Sequence, residues 1–250
     1  QGKRPDAATL AEAARLAAQS AEPSADRRGS VEHKVEMARV LTARALKMRP
    51  NKPLVLAKAQ ELLRECFDVK NMDAAESLLS GWTQARPTDV DAWHNLGLVA
   101  LEGQHPDRAI ECFKIVARLK PGNNFALLQL AKLYFEKKKA RECLEYCDQL
   151  LTRGYKPLVA ISIKARVLNF TLGYQAALKF LQPYLDHNPE EDTLWVILSE
   201  LHEYRDEYPA AMKALQTARQ LLNANAGPHK EANLRLIEDT LRLLTEKLGR

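Results

Sequence analysis

The stretch Asp91–Asn123, DAWHNLGLVALEGQHPDRAIECFKIVARLKPGN, decides how the rest of the chain is read. It holds a large ring at Trp93, the pair Leu96-Gly97, a small residue at Ala109, a second ring at Phe113 and a proline at Pro121. These residues in this order make no nucleophile, metal cluster or phosphate-binding loop. Their spacing has the period of a helix instead. Trp93, Leu96, Gly97 and Ala100 stand at i, i+3, i+4 and i+7, one face of an α-helix. Ala109, Phe113 and Val116 mark one face of a second helix. Glu102-Gly103-Gln104 makes a short turn between the two, and Pro121 stops the second because it cannot donate to the helical ladder.

The same pattern recurs outward from this stretch. Pro53, Pro87 and Pro121 are 34 residues apart, and Pro189 follows Pro121 by 68. A fixed period of this size is the mark of a repeat architecture. With Val90 as position 1 and steps of 34, position 4 reads Ala59, Trp93, Leu127, Ile161, Trp195. Position 8 reads Leu63, Gly97, Ala131, Ala165, Ser199, and position 20 reads Ala75, Ala109, Cys143, Ala177, Ala211. Position 24 reads Leu79, Phe113, Cys147, Leu181, Leu215. Small residues at 8 and 20 let two helix backbones approach, and bulky residues at 4, 7 and 24 fill the remaining space. Each pair keeps an apolar side that only a neighbouring pair can cover, so the units must stack.

This register resembles the tetratricopeptide repeat family, whose Trp-Leu-Gly…Ala…Phe…Pro signature Asp91–Pro121 matches at nearly every position. Ala100 departs from it, where the family has a large aromatic residue, and Lys164 at position 7 and Leu63 at position 8 are mismatches in weaker units. The resemblance covers about residues 56–225. It implies an all-α fold, a right-handed α-solenoid of stacked antiparallel helix pairs. The expected organisation is an atypical N-terminal helix pair with a basic loop over 1–51, with helices at 6–20 and 31–48. Five repeats over 52–226 then start near 56, 90, 124, 158 and 192, and a helix over 227–250 covers the last pair with its charges outward.

Composition agrees with this class and excludes others. The 250 residues include only 10 Gly and 6% aromatics, and are rich in good helix formers. Strand signals are almost missing, and no run of about 18 apolar residues exists to span a membrane. The net charge of +5 is concentrated in residues 1–50, with 10 Lys+Arg against 6 Asp+Glu, so the repeats are close to neutral. Cys66, Cys112, Cys143 and Cys147 form no CxxC; they read as buried thiols, and no metal or other cofactor is expected. The first residue is Gln1 and not Met, so the chain reads either as a processed product or as an engineered piece of a longer one, and the removal of a leader or anchor is compatible with both. A cytoplasmic or an exported location therefore both fit.

Functional residues are sought where packing does not use the side chain. In such a solenoid the first helices line the concave wall, and positions 2, 5, 6, 9, 12 and 13 face the groove. These supply Gln60, Arg64, Phe67, His94, Asn95, Leu98, Phe125, Gln129, Lys132, Phe135, Arg166, Asn169, Phe170 and Tyr204, with Ser162, Val196, Glu200 and Glu203 beside them. Position 9 reads Arg64, Leu98, Lys132, Arg166, Glu200, three cations in five. Cations, amides and interleaved rings suit a peptide or protein partner with acidic or carboxylate groups. The family's chaperone-binding carboxylate clamp is matched only by Asn95: Gln60, Arg64, Phe125 and Gln129 replace its other members. No catalytic constellation exists among the six His residues, of which only His94 stands in the groove. The expectation is a non-enzymatic scaffold or adaptor that takes no small-molecule substrate. An alternative is an assembly factor or lipoprotein of a bacterial envelope, secretion or pilus machine. Single-stranded nucleic-acid binding is disfavoured by the near-neutral array.

Overall fold

The computed structural model describes residues 40–42, 44–48, 51–68, 71–224 and 230–249. The expected helix at 6–20, the basic loop and most of the helix at 31–48 lie outside them; residues 40–42 and 44–48 are helical. Eleven further helices follow among the described residues: α1 Pro53–Asp68, α2 Met72–Ala85, α3 Val90–Glu102, α4 Pro106–Leu119, α5 Asn124–Glu136, α6 Ala140–Thr152, α7 Pro157–Leu172, α8 Tyr174–His187, α9 Asp192–Glu203, α10 Tyr208–Ala224 and α11 Lys230–Leu248. Within the units, helices joined by short turns pack side by side, α1 on α2, α3 on α4, α7 on α8 and α9 on α10, as antiparallel pairs must. Contacts divide the chain between residues 126 and 127, inside α5, into two compact units.

The first unit is built on the pairs α1/α2 and α3/α4. Asn71 starts α2 by accepting from the Ala74 N–H at 3.1 Å, and Asp89 starts α3 by accepting from the Ala92 N–H at 3.2 Å. Each satisfies one of the amides that a helix start leaves unpaired. Asp89 also accepts from the Trp82 indole at 3.1 Å, tying α2 to the start of the next pair. The core joins Leu46, Leu62, Cys66, Leu78, Leu79, Trp82 and Leu96 across these elements. Between α3 and α4 the two backbones come so close that a Cβ at Gly97 would lie 2.9 Å from the fully buried Phe113 ring.

The second unit contains the rest of α5 and the helices α6 to α11. Ala131 and Cys143, at positions 8 and 20 of one repeat, meet through a Cys143 thiol that donates to the Ala131 carbonyl at 3.3 Å. Ala165, Ala177 and Ala211 are likewise fully buried. One core gathers Ile161, Leu181, Leu194, Ile197 and Leu201 from α7, α8 and α9. Another gathers Leu215 and Leu222 of α10 with Ile237 and Leu244 of α11.

Lys164, the mismatch at position 7, lies within this packing without a buried charge. Its stem crosses the surface, its ammonium lies 4.8 Å from the centre of the Phe180 ring, and it pairs with Asp148.

One expectation gains a contact on folding and another changes. Trp93 packs on the core of the first unit as a half-buried ring, and its indole N–H donates to the Pro87 carbonyl at 2.9 Å. Trp195 repeats this with the Pro189 carbonyl at 2.8 Å, so the ring latches the helix start to the preceding proline. On α11 the outward face is not purely charged. Leu236, Leu243 and Leu248 are exposed, since only Ile237, Leu244 and partly Leu234 and Leu241 reach α10.

Candidate partner-binding face

Within the first unit, the groove candidates fall into two groups. Gln60 and Arg64 are exposed on α1, one turn apart, while Phe67 packs onto the core. On α3, His94, Asn95 and Leu98 are half-buried. His94 stands with its ring 4.9 Å from Phe125 and 6.1 Å from Phe113, and the two phenyl rings are 6.3 Å apart. Burial holds His94 below its ordinary value of 6.5, although Asp91 opposes this. A neutral imidazole inside an aromatic cluster offers a ring face and one N–H, and no charge.

In the second unit, Gln129 and Phe135 are half-buried on α5 and Lys132 is exposed. Further along, position 9 forms a pair the period itself sets up. Arg166 on α7 and Glu200 on α9 are 34 residues apart, so they occupy equal positions on adjacent first helices. The guanidinium donates from Nε to Glu200 Oε2 at 2.7 Å and from Nη2 to Oε1 at 2.5 Å, a two-pronged charge-assisted pair. The bond to Glu200 raises the Arg166 pKa above its ordinary value. Beside it, Lys247 of α11 donates to Glu203 at 2.8 Å. Arg166, Glu200, Glu203, Tyr204 and Lys247 together line a cleft of about 380 Å³.

Two rings share helical faces with the charged residues of this cleft. Phe170 lies one turn beyond Arg166, and Tyr204 one turn beyond Glu200, which places each on the same helical face as its charged neighbour. Both are strongly exposed, Phe170 at 74% and Tyr204 at 70%. Asn169 is half-buried beside Phe170. Lys247 was not among the residues drawn from the repeat positions. It lies in the final helix, outside the period, and no spacing rule points to it.

The thiols are packed away. All four cysteines are buried and unpaired by disulfides. Burial pushes the Cys112 thiol up to about 11, and the hydrogen bond to Cys143, with burial, pushes Cys147 up as well. Among the described residues no group of three or more His, Cys, Asp or Glu is arranged to hold a metal ion. No described helix is long and apolar enough to cross a membrane.

This architecture is the tetratricopeptide-repeat fold. MamA from Desulfovibrio magneticus RS-1, residues 41 to its end, superposes with a TM-score of 0.55 at 15% identity, covering 68% of this chain and 96% of that one. YrrB, a TPR protein with an unusual peptide-binding site, gives a TM-score of 0.54 at 12% identity over 72% of this chain and 91% of its own. PilF of Pseudomonas aeruginosa gives 0.51 at 15% identity, over 85% and 92%. In sequence, human protein O-mannosyl-transferase TMTC3 is 26% identical over 125 residues, which is 50% of this chain but only 14% of that protein. Residues 1–48 match the CO dehydrogenase flavoprotein C-terminal domain, over a region almost wholly outside the described residues.

Proposed function

We propose that the chain is a non-enzymatic protein-interaction scaffold that holds a peptide or protein partner against its first helices. The partner rests on the second unit, on the face of α7 and α9. One observation carries this reading: Phe170 and Tyr204 stand exposed at equal repeat positions, one turn beyond Arg166 and Glu200, two charged residues that line a cleft together with Tyr204. Packing explains the buried apolar positions of the repeat, but two large rings left in water at one recurring position are the kind of anchor that dominates an interface. Gln129, Lys132, Phe135 and Asn169 on α5 and α7 of the same unit supply further polar and apolar contacts.

The test replaces Phe170 and Tyr204 together with Ser. Because both are exposed, the helical content and melting temperature should stay unchanged. Capture of the native partner from a lysate, quantified by mass spectrometry, should fall by at least about tenfold, a loss of about 1.4 kcal/mol. Capture at wild-type levels by a folded variant would show that this face holds nothing.

A further inference from the structure

The cation row read along position 9 points to an acidic partner, yet the folded chain answers its own charges in the second unit. Arg166 spends the edge formed by Nε and Nη2 on Glu200, and Lys247 is bonded to Glu203. The cleft therefore holds two cations and two anions, already paired. An incoming carboxylate is repelled by Glu200 and Glu203, which line the same cleft, whether it takes a free N–H of a cation or displaces one of them. A partner cation faces the mirror problem with Arg166 and Lys247. Either exchange loses one charge-assisted pair to gain another, with desolvation added.

An uncharged acceptor meets neither obstacle. Arg166 has five N–H donors, and its bonds to Glu200 use two of them. The Nη1 edge is left for a neutral carbonyl oxygen, which gains a charge-assisted hydrogen bond without displacing Glu200. Lys247 has two further N–H donors besides the one given to Glu203. Phe170 and Tyr204 stand one turn further along the same helices and offer apolar area.

We infer that this cleft takes an uncharged peptide segment, whose main-chain carbonyls bond to Arg166 and Lys247 and whose aromatic or aliphatic side chains pack on Tyr204 and Phe170. This rests on the proposed function and names the partner chemistry of the same face. Glu200 and Glu203 act as the residues that set specificity: by neutralising the cations they turn away acidic segments.

The experiment selects a phage-displayed library of short random peptides on the full chain, on Phe170→Ser/Tyr204→Ser and on Glu200→Gln/Glu203→Gln. The wild-type chain should enrich clones rich in aromatic and aliphatic residues and near neutral in charge. Their affinity should change less than about twofold between about 50 and about 500 mM salt, since screening acts on net charges. Phe170→Ser/Tyr204→Ser should lose these clones. Glu200→Gln/Glu203→Gln should shift the selection towards Asp- and Glu-bearing peptides by at least about tenfold, because both cations are then unanswered. Acidic clones that dominate on the wild type and disappear with Phe170→Ser/Tyr204→Ser would overturn the inference and leave the binding face standing. A selection whose clones all survive Phe170→Ser/Tyr204→Ser would remove the binding face, and the inference with it.

Discussion

At Gly97 a single methyl group decides whether α3 and α4 can meet. An added Cβ would lie 2.9 Å from Phe113 Cζ and 3.0 Å from Cε1, and the ring has nowhere to go because it is fully buried. Overpacking of this kind costs about 1–3 kcal/mol, while Ala recovers about 1 kcal/mol of helix propensity relative to Gly. Gly97→Val should therefore lose roughly 2 kcal/mol, and Gly97→Ala clearly less, read as the shift in urea midpoint. A Gly97→Val variant as stable as the wild type would mean that the close approach does not exist.

One ring along, His94 couples stability to pH. Its folded pKa is depressed by burial against Phe113 and Phe125. As pH falls below about 6.5 the unfolded chain takes up a proton that the folded chain still refuses. The contribution of His94 is thus complete above that value and is lost as pH drops through the lower folded pKa. His94→Gln should flatten this part of the stability curve, seen by comparing denaturation midpoints at about pH 7.5 and about pH 5.5. Equal slopes in both proteins would assign the acid sensitivity elsewhere.

The turn that closes α3, α5 and α9 is the clearest element-scale device. Gln104, Lys138 and Asp206 share position 15 and all adopt positive φ, at 58°, 56° and 57°. The residue after each donates to the carbonyl five residues back: His105 to Ala100, Lys139 to Tyr134 and Glu207 to His202, at 2.8 to 3.0 Å. That bond satisfies a carbonyl the helix end leaves unpaired, and the left-handed residue makes it possible. Glycine would fill this position without steric cost, yet none of the three is glycine. The left-handed penalty for an L-residue is about 1–2 kcal/mol, and glycine's extra entropy in the unfolded chain offsets about 0.5–1 kcal/mol of the relief. Lys138→Gly should raise stability by roughly 0.5 kcal/mol, and Lys138→Val should lower it by roughly 1 kcal/mol or more, in thermal melts. The opposite order would rule out the turn geometry. The sequence places the turn at Glu102-Gly103-Gln104 but not its left-handed residue, because position 15 is not glycine in these three units: the conformation is imposed by two packed helices on residues that do not prefer it.

Across the whole molecule, what the repeats bury is also shielded from reagents in solvent. Cys66, Cys112, Cys143 and Cys147 lie inside the cores of both units. Thiolate is the reactive form, and burial holds the Cys112 thiol at about 11. Iodoacetamide at about pH 8 should label the native chain at rates set by its opening, and all four thiols promptly in denaturant. Prompt labelling of the native chain would contradict this packing. The helix pairs, their turns and their buried faces were legible from residues 53 onward, because the 34-residue period superimposes five weak helical patterns into one strong one. The binding face was legible only in part. Phe170 and Tyr204 could be placed at position 13 by counting, and Arg166 at position 9. Counting did not reveal that Glu200, at that same position one repeat later, would neutralise Arg166, or that Lys247 of the last helix would line the same cleft. Nor did it foretell that Phe125 and His94 would cluster with Phe113, or that α11 would leave Leu236 and Leu243 in water. The sequence by itself determined the helices, their order and which residues pack, because burial follows a period along the chain. Only the tertiary structure decided which charges meet, because an ion pair depends on distances between helices that no spacing along one chain records.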